Sequence, residues 1–148
     1  MSSVHRDIAD ALTAGLAAET FASVTEQPTV ERKNWPAYDL EDMADPVIAV
    51  TPTAVTLTRT DRTRHQHDYQ VSVFVGRHTP TEADADQMTD MLEEVVDKVR
   101  LHVWNQSVTW PAGVTSPTAV EVAINPDDAL QERNAWRAVV TATYTVHR

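Results

Sequence analysis

The stretch that decides the fold runs from Arg62 to Val75 and reads RTRHQHDYQVSVFV. Its second half alternates as a strand does: Tyr69, Val71 and Val73 fall on one face, and the polar or aromatic residues between them fall on the other. The preceding segment, AVTLTRT at positions 54–60, alternates in the same way. The two segments therefore predict a β-hairpin whose turn lies near Asp61 to Gln66.

The hairpin end carries His65, His67 and Asp68, which raises the question of a metal site. Two imidazoles at i and i+2 point to the same side of a strand, and zinc accepts both imidazole and carboxylate ligands. However, no further histidine lies close in sequence, and no H-E-x-x-H pattern is present. We therefore expect an exposed polar end without a metal, and a His-based metal-dependent hydrolase is the least favoured function. The nearby basic residues predict an exposed basic tip, formed by Arg59, Arg62 and Arg64.

Two helices are predicted from apolar periodicity. The first is amphipathic, because Val4, Ile8, Leu12 and Leu16 recur every four residues. The second is long and starts at Thr79-Pro80-Thr81-Glu82, which has the form of a capping box with proline at the first helical position. Its apolar stripe consists of Met88, Met91, Leu92, Val95, Val96, Val99 and Val103. Its opposite face carries seven acidic residues: Glu82, Asp84, Asp86, Asp90, Glu93, Glu94 and Asp97.

The remaining segments complete a small α/β (α+β) fold. Strands are predicted from about Ser23 to Trp35, at a sheet edge because of its proline, and over positions 46–52 (PVIAVTP), 118–124 (TAVEVAI) and 136–146 (WRAVVTATYTV). Positions 35–46 predict a linker with one helical turn around Leu40, and Asn125 begins a turn. We expect a single domain over 1–148, in which a mixed, mostly antiparallel sheet packs against an N-terminal helix and one long central helix.

Composition narrows the function classes. A chain of 148 residues fits one domain, and the absence of cysteine excludes disulfides and thiolate chemistry. The formal charge of −10 argues against a nucleic-acid-binding module. No apolar run is long enough to cross a membrane, and no phosphate-binding loop or combination of nucleophile, base and orienting group is recognisable. We therefore expect no catalytic residues, no cofactor and no membrane association.

The order of elements resembles the tail terminator proteins of long-tailed bacteriophages over almost the entire chain. The segments that carry the resemblance are IADALTAGLAAE (8–19), ERKNWPAYDLEDM (31–43), PVIAVTP (46–52), HDYQVSVFV (67–75), TPTEADADQMTDMLEEVVDKV (79–99) and NAWRAVVTATYTV (134–146). The resemblance implies a hexameric ring at the head-proximal end of the tail tube, which ends tail polymerisation. It also implies contacts with the tail tube protein and the head connector or stopper.

Further expectations come with this resemblance. The protein would belong to the virion and occupy the host cytoplasm during assembly, and genome DNA would pass through the ring without specific binding. The family has no catalytic residues to transfer to this sequence. Head-completion and neck adaptor proteins of the same connector look similar, and they form the alternative function.

Charge is unevenly distributed along the chain. Residues 53–78 contain four arginines and two aspartates, whereas residues 82–97 contain seven acids and no base. In a ring, one face of each subunit meets a different face of the next, and such charge separation can set that orientation. The predicted interface residues are therefore Arg59, Arg62, Arg64, His65, His67, Asp86, Asp90, Glu93 and Glu94.

Overall fold

The computed structural model describes residues 3–34, 43–79, 81–101, 110–111, 113–114, 117–124 and 135–147. The helices are α1 (Val4–Ala17) and α2 (Glu82–Leu101), and the strands are β1 (Thr29–Arg32), β2 (Val47–Arg59), β3 (His65–His78), β4 (Ala119–Ile124) and β5 (Ala135–His147). The predicted turns at Leu40 and Asn125, and Val103 of the apolar stripe, lie outside the described residues. The predicted α+β fold class is confirmed.

The five strands form one sheet in the order β1-β2-β3-β5-β4. β1 pairs with β2 in parallel, and every other neighbouring pair is antiparallel. The prediction of a mixed, mostly antiparallel sheet with β1 at an edge is confirmed. β1 is shorter than predicted, because Phe21 and Val24 are already buried in the core as the chain turns before it.

The predicted hairpin is confirmed. The two strands predicted before its turn, 46–52 and 54–60, form a single strand, β2. β2 continues for 13 residues through Pro52, with a register shift against β3 between Pro52 and Ala54. Proline is tolerated there because β1 pairs with β2 only as far as Val50, so no neighbour needs the missing N–H. The extra residue, Thr53, donates its hydroxyl to the Gln70 carbonyl at 3.1 Å.

The main core lies between the helices and one face of the sheet. The predicted helix stripes are buried, and so is the predicted face of the central strands. Residues with no more than 5% exposure include Ile8, Leu12, Leu16, Val71, Val73, Val75, Met88, Leu92, Val95, Val99, Val140 and Tyr144. A smaller cluster occupies the opposite face of the sheet, formed by Met43, Val47, Ala49 and Phe74 with Val139 against it.

Both helices have a side-chain cap at the N-terminus. Ser3 accepts a hydrogen bond from the Arg6 amide at 3.1 Å. For α2 the predicted start at Thr79 is wrong: the Thr81 hydroxyl accepts from the Asp84 amide at 3.2 Å and donates to the Asp84 carboxylate at 2.9 Å. The start moves because β3 continues to His78, and the chain must turn before a helix can begin. Neither helix, within the described residues, is long and apolar enough to cross a membrane.

Candidate assembly surfaces

The end of the hairpin, residues 53–65, is exposed and is called the arm below. Every residue of β2 from Thr53 to Arg59 is exposed, although the strand stays paired with β3. The arm includes two apolar side chains, Val55 at 42% and Leu57 at 59% exposure. Apolar residues two apart lie on one face of a strand, so the arm presents a small apolar patch.

The turn of the arm is fixed by Asp61. Its Oδ1 atom accepts hydrogen bonds from the amides of Thr63 and Arg64, each at 2.7 Å. These two bonds lower the pKa of the Asp61 carboxyl below its ordinary value, and the bond from Thr63 has the larger effect. The Arg59 guanidinium donates to the Asp61 carbonyl at 3.0 Å. Arg59, Arg62 and Arg64 are all exposed, so the tip of the arm is basic as predicted.

His65, His67 and Tyr69 form an aromatic row along β3. His67 stacks on Tyr69 with ring centroids 5.9 Å apart, and the ring centroids of His65 and His67 are 6.5 Å apart. His5 of α1 lies 5.6 Å from Tyr69, and its Nε2 forms a hydrogen bond to the Gln70 carbonyl at 2.7 Å. His65 is exposed, whereas His67 is half-buried.

Asp68 does not converge with these histidines. It alternates to the other face of β3, where its carboxylate accepts from the Thr145 hydroxyl at 2.7 Å and from the Gln66 amide at 3.1 Å. Among the residues that the structure describes, no three His, Asp or Glu side chains are grouped to hold a metal ion. The sequence cluster His65-Gln66-His67-Asp68 is thus divided between two faces of the sheet.

The outward face of α2 is acidic, as predicted. Asp86, Asp90, Glu93 and Asp97 are exposed and are called the acidic stripe below. The helical repeat places all four on the side opposite the buried Met88, Leu92, Val95 and Val99. Asp97 also accepts from the Arg100 guanidinium at 3.2 Å.

Glu94, also among the predicted interface residues, makes hydrogen bonds within the subunit. Its carboxylate accepts from the amides of Ala22 at 3.2 Å and Ser23 at 3.5 Å, in the turn that follows α1. Glu94 is half-buried and lies on the side of α2 that faces α1, near the ion pair between Lys98 and Glu19 at 3.2 Å. It links α2 to the turn after α1, and we do not count it in the acidic stripe.

A groove lies between α2 and the edge strand β4, and it did not follow from the sequence. It has a volume of about 310 Å³ and is lined by Leu92, Glu93, Val96, Asp97 and Val122. Val122 is 44% exposed and Ile124 52% exposed. The apolar alternation of Val120, Val122 and Ile124 was visible, but its position at an edge depends on the order of strands in the sheet.

Both the arm and β4 have an outer edge without a strand partner among the described residues. β1 ends opposite Val50 of β2, so the part of β2 in the arm is paired only with β3. β4 is the last strand on the other side of the sheet and is paired only with β5. The sheet therefore has an exposed apolar patch at each of these two edges. One consists of Val55 and Leu57, and the other of Val122 and Ile124.

The fold occurs in a solved virion. No protein-family model matches the sequence, and no curated protein matches it. Among solved structures, a chain from the structure described as "Virion of native gene transfer agent (GTA) particle" is similar over 100% of this chain and 100% of its own length, with a TM-score of 0.64 and 14% sequence identity. At that identity the likeness establishes a shared fold across the whole of both chains.

Proposed function

We propose that the protein is a structural component of a phage-like virion and acts as a tail terminator. In this role six copies form a ring at the head-proximal end of the tail tube, end its polymerisation and offer a surface to the head connector. The observation that carries the proposal is the likeness to a chain of the gene transfer agent virion over the full length of both chains. We propose the position in the tail from the resemblance of the sequence to tail terminators.

The surfaces of the subunit suit a protein that acts by assembling. A closed ring requires heterologous contacts, in which two different patches of the subunit meet. The subunit has a basic tip at Arg59, Arg62 and Arg64, and the acidic stripe on α2 supplies a patch of opposite sign. Complementary charge steers and orients association, and such a role needs no catalytic group.

Net charge supports the passage of DNA through such a ring. The chain carries a formal charge of −10, so six copies carry −60. An acidic ring repels the phosphate backbone and does not retain the genome as it passes. We therefore propose that the ring makes no specific contacts with DNA.

The direct test is deletion of the gene in a host that produces the particle. We expect tails of uncontrolled length and heads without tails, both visible by electron microscopy, with rescue by the gene supplied in trans. Intact virions of normal tail length after deletion would contradict the proposed function.

A neck or head-completion adaptor is the second candidate, because such proteins look similar to tail terminators and the similar chain comes from a whole virion particle. The two roles differ in what the protein binds first. Purified protein should co-sediment with isolated tail tubes if it is a terminator, and with DNA-filled heads lacking tails if it is a neck adaptor. Binding to heads alone would move the proposal to the second candidate.

A further inference from the structure

We propose that the free edge of β2 in the arm of one copy pairs with the free edge of β4 in the next copy, so that the sheet continues from subunit to subunit. The inference rests on the proposed ring and states which surfaces form it. It is carried by three properties of the two edges: the position of their apolar side chains, the direction of their strands and the charges beside them.

The apolar side chains of the two edges lie on the same face of the sheet. Val55 pairs with Tyr69 and Leu57 with His67, while Val122 pairs with Val140 and Ile124 with Ala138. Directly paired residues share a face, and Tyr69, Ala138 and Val140 belong to the core under the helices. If the two edges were joined, Val55 and Leu57 would become neighbours of Val122 and Ile124 and would cover the groove beside Val96.

The strand directions are also compatible. β2 is antiparallel to β3, β3 to β5, and β5 to β4, so the two edge strands β2 and β4 run in opposite directions. A copy added with the same face upward therefore brings β2 beside β4 as an antiparallel pair. Because the joined edges differ, the contact is heterologous, and repetition of it closes a ring when the rotation permits.

Charge favours a second copy as the occupant of each edge. Arg59, Arg62 and Arg64 lie at the end of the arm, and Glu93 and Asp97 line the groove next to β4. An arm lying along β4 would bring the basic tip close to the acidic stripe. β4 reads AVEVAI, with Glu121 as its one charge, so its edge lacks the proline, bulge or lysine that commonly prevents pairing. β2 has such features in Pro52 and the register shift beside it, and the proposed pairing therefore involves only the part of β2 beyond them.

The two edges cannot pair within one chain. β3 and β5 lie between β2 and β4, and three strand spacings of about 4.8 Å place the edges roughly 14 Å apart. A disulfide requires Cα atoms within about 7 Å. Any disulfide between the edges must therefore join two copies, and the natural chain has no cysteine to interfere.

The test is a disulfide scan between two single-cysteine proteins. Leu57→Cys protein is mixed in turn with Val120→Cys, Glu121→Cys, Val122→Cys, Ala123→Cys and Ile124→Cys proteins, and the mixtures are oxidised. We expect the highest yield at one of positions 120, 122 and 124, about tenfold above the yields at 121 and 123. Only those three positions share the face of Leu57, and a fixed register places just one of them directly opposite it. The double variant that combines Leu57→Cys with the cysteine of highest yield should give a ladder of multimers that ends at the ring size.

The scan is run on purified protein and on particles from a host carrying the double variant. Disulfides between two Leu57→Cys chains in excess of those with β4 would show a twofold contact and overturn the inference, as would a highest yield at position 121 or 123. Absence of products in both samples would also overturn it. If Leu57→Cys links to position 120, 122 or 124 in solution while deletion of the gene leaves virions normal, the edge pairing stands and the tail terminator role fails.

Discussion

The two halves of β2 differ in exposure although they form one strand with one partner. Val47 to Thr51 are all buried, whereas Thr53 to Arg59 are all exposed. The first half is covered on one face by the helices and on the other by the Met43 cluster, and β1 pairs with its edge. Past Pro52 the coverage ends while the pairing with β3 continues. The strands of the arm are thus held by their pairing with each other, whereas the first half of β2 is also stabilised by burial.

Truncation of a buried leucine and of an exposed leucine should show the largest difference in stability between the core and the arm. Leu92→Ala should lower the free energy of unfolding by about 2–5 kcal/mol, because Leu92 is 4% exposed and its loss leaves a cavity. Leu57→Ala, at 59% exposure, should change it by no more than about 0.5 kcal/mol. Denaturant unfolding of both variants measures the difference. Equal shifts of the two midpoints would mean that the arm is part of the core.

Neighbouring glutamates on α2 provide a second, smaller contrast. Glu94→Ala should cost about 1 kcal/mol, because the amides of Ala22 and Ser23 lose their acceptor. Glu93→Ala removes an exposed carboxylate from the same helix and serves as the matched control, with no more than about 0.5 kcal/mol expected. Chemical denaturation reports both values. A Glu93→Ala variant that is the less stable of the two would reverse the assignment of these residues.

The two histidines of β3, His65 and His67, should differ in their contribution to stability because they differ in burial. His67→Ala should cost about 0.5–1 kcal/mol through loss of its stacking on Tyr69, and His65→Ala should cost less. Thermal unfolding of the two variants measures this difference.

The same method tests for a bound metal. The natural protein should have the same melting temperature in the presence and absence of a chelator. A sharp fall on adding the chelator would show that His65 and His67 bind a stabilising metal.

The smallest expected effect is a local pH dependence at the tip. The pKa of Asp61 is lowered from 3.8 by the bonds from Thr63 and Arg64, so its contribution to the turn is present above the unfolded value and is lost as the pH falls through the folded value. The amide resonances of Thr63 and Arg64 should therefore titrate with a midpoint below 3.8. A midpoint at or above that value would show that these bonds do not form in solution.

The regular elements could be predicted because their apolar periods are local. The four-residue spacing from Val4 to Leu16 and the alternation from Tyr69 to Val75 each identified a helix or strand and its buried face. The errors have non-local causes. The continuity of β2 through Pro52 depends on where β1 stops, and the role of Glu94 depends on amides more than seventy positions earlier in the chain. The groove depends on the order of strands, which periodicity does not specify.

We propose that the protein acts in a virion through the apolar patch of its arm, Val55 and Leu57. The most direct measurement is the length distribution of tails in particles assembled with Leu57→Glu, compared with Thr58→Glu, which places the same charge on the opposite face of the same strand. Both proteins should fold, because both positions are exposed. We predict tails of uncontrolled length and unjoined heads with Leu57→Glu, and near-normal virions with Thr58→Glu. Normal tails joined to heads with Leu57→Glu would contradict the account.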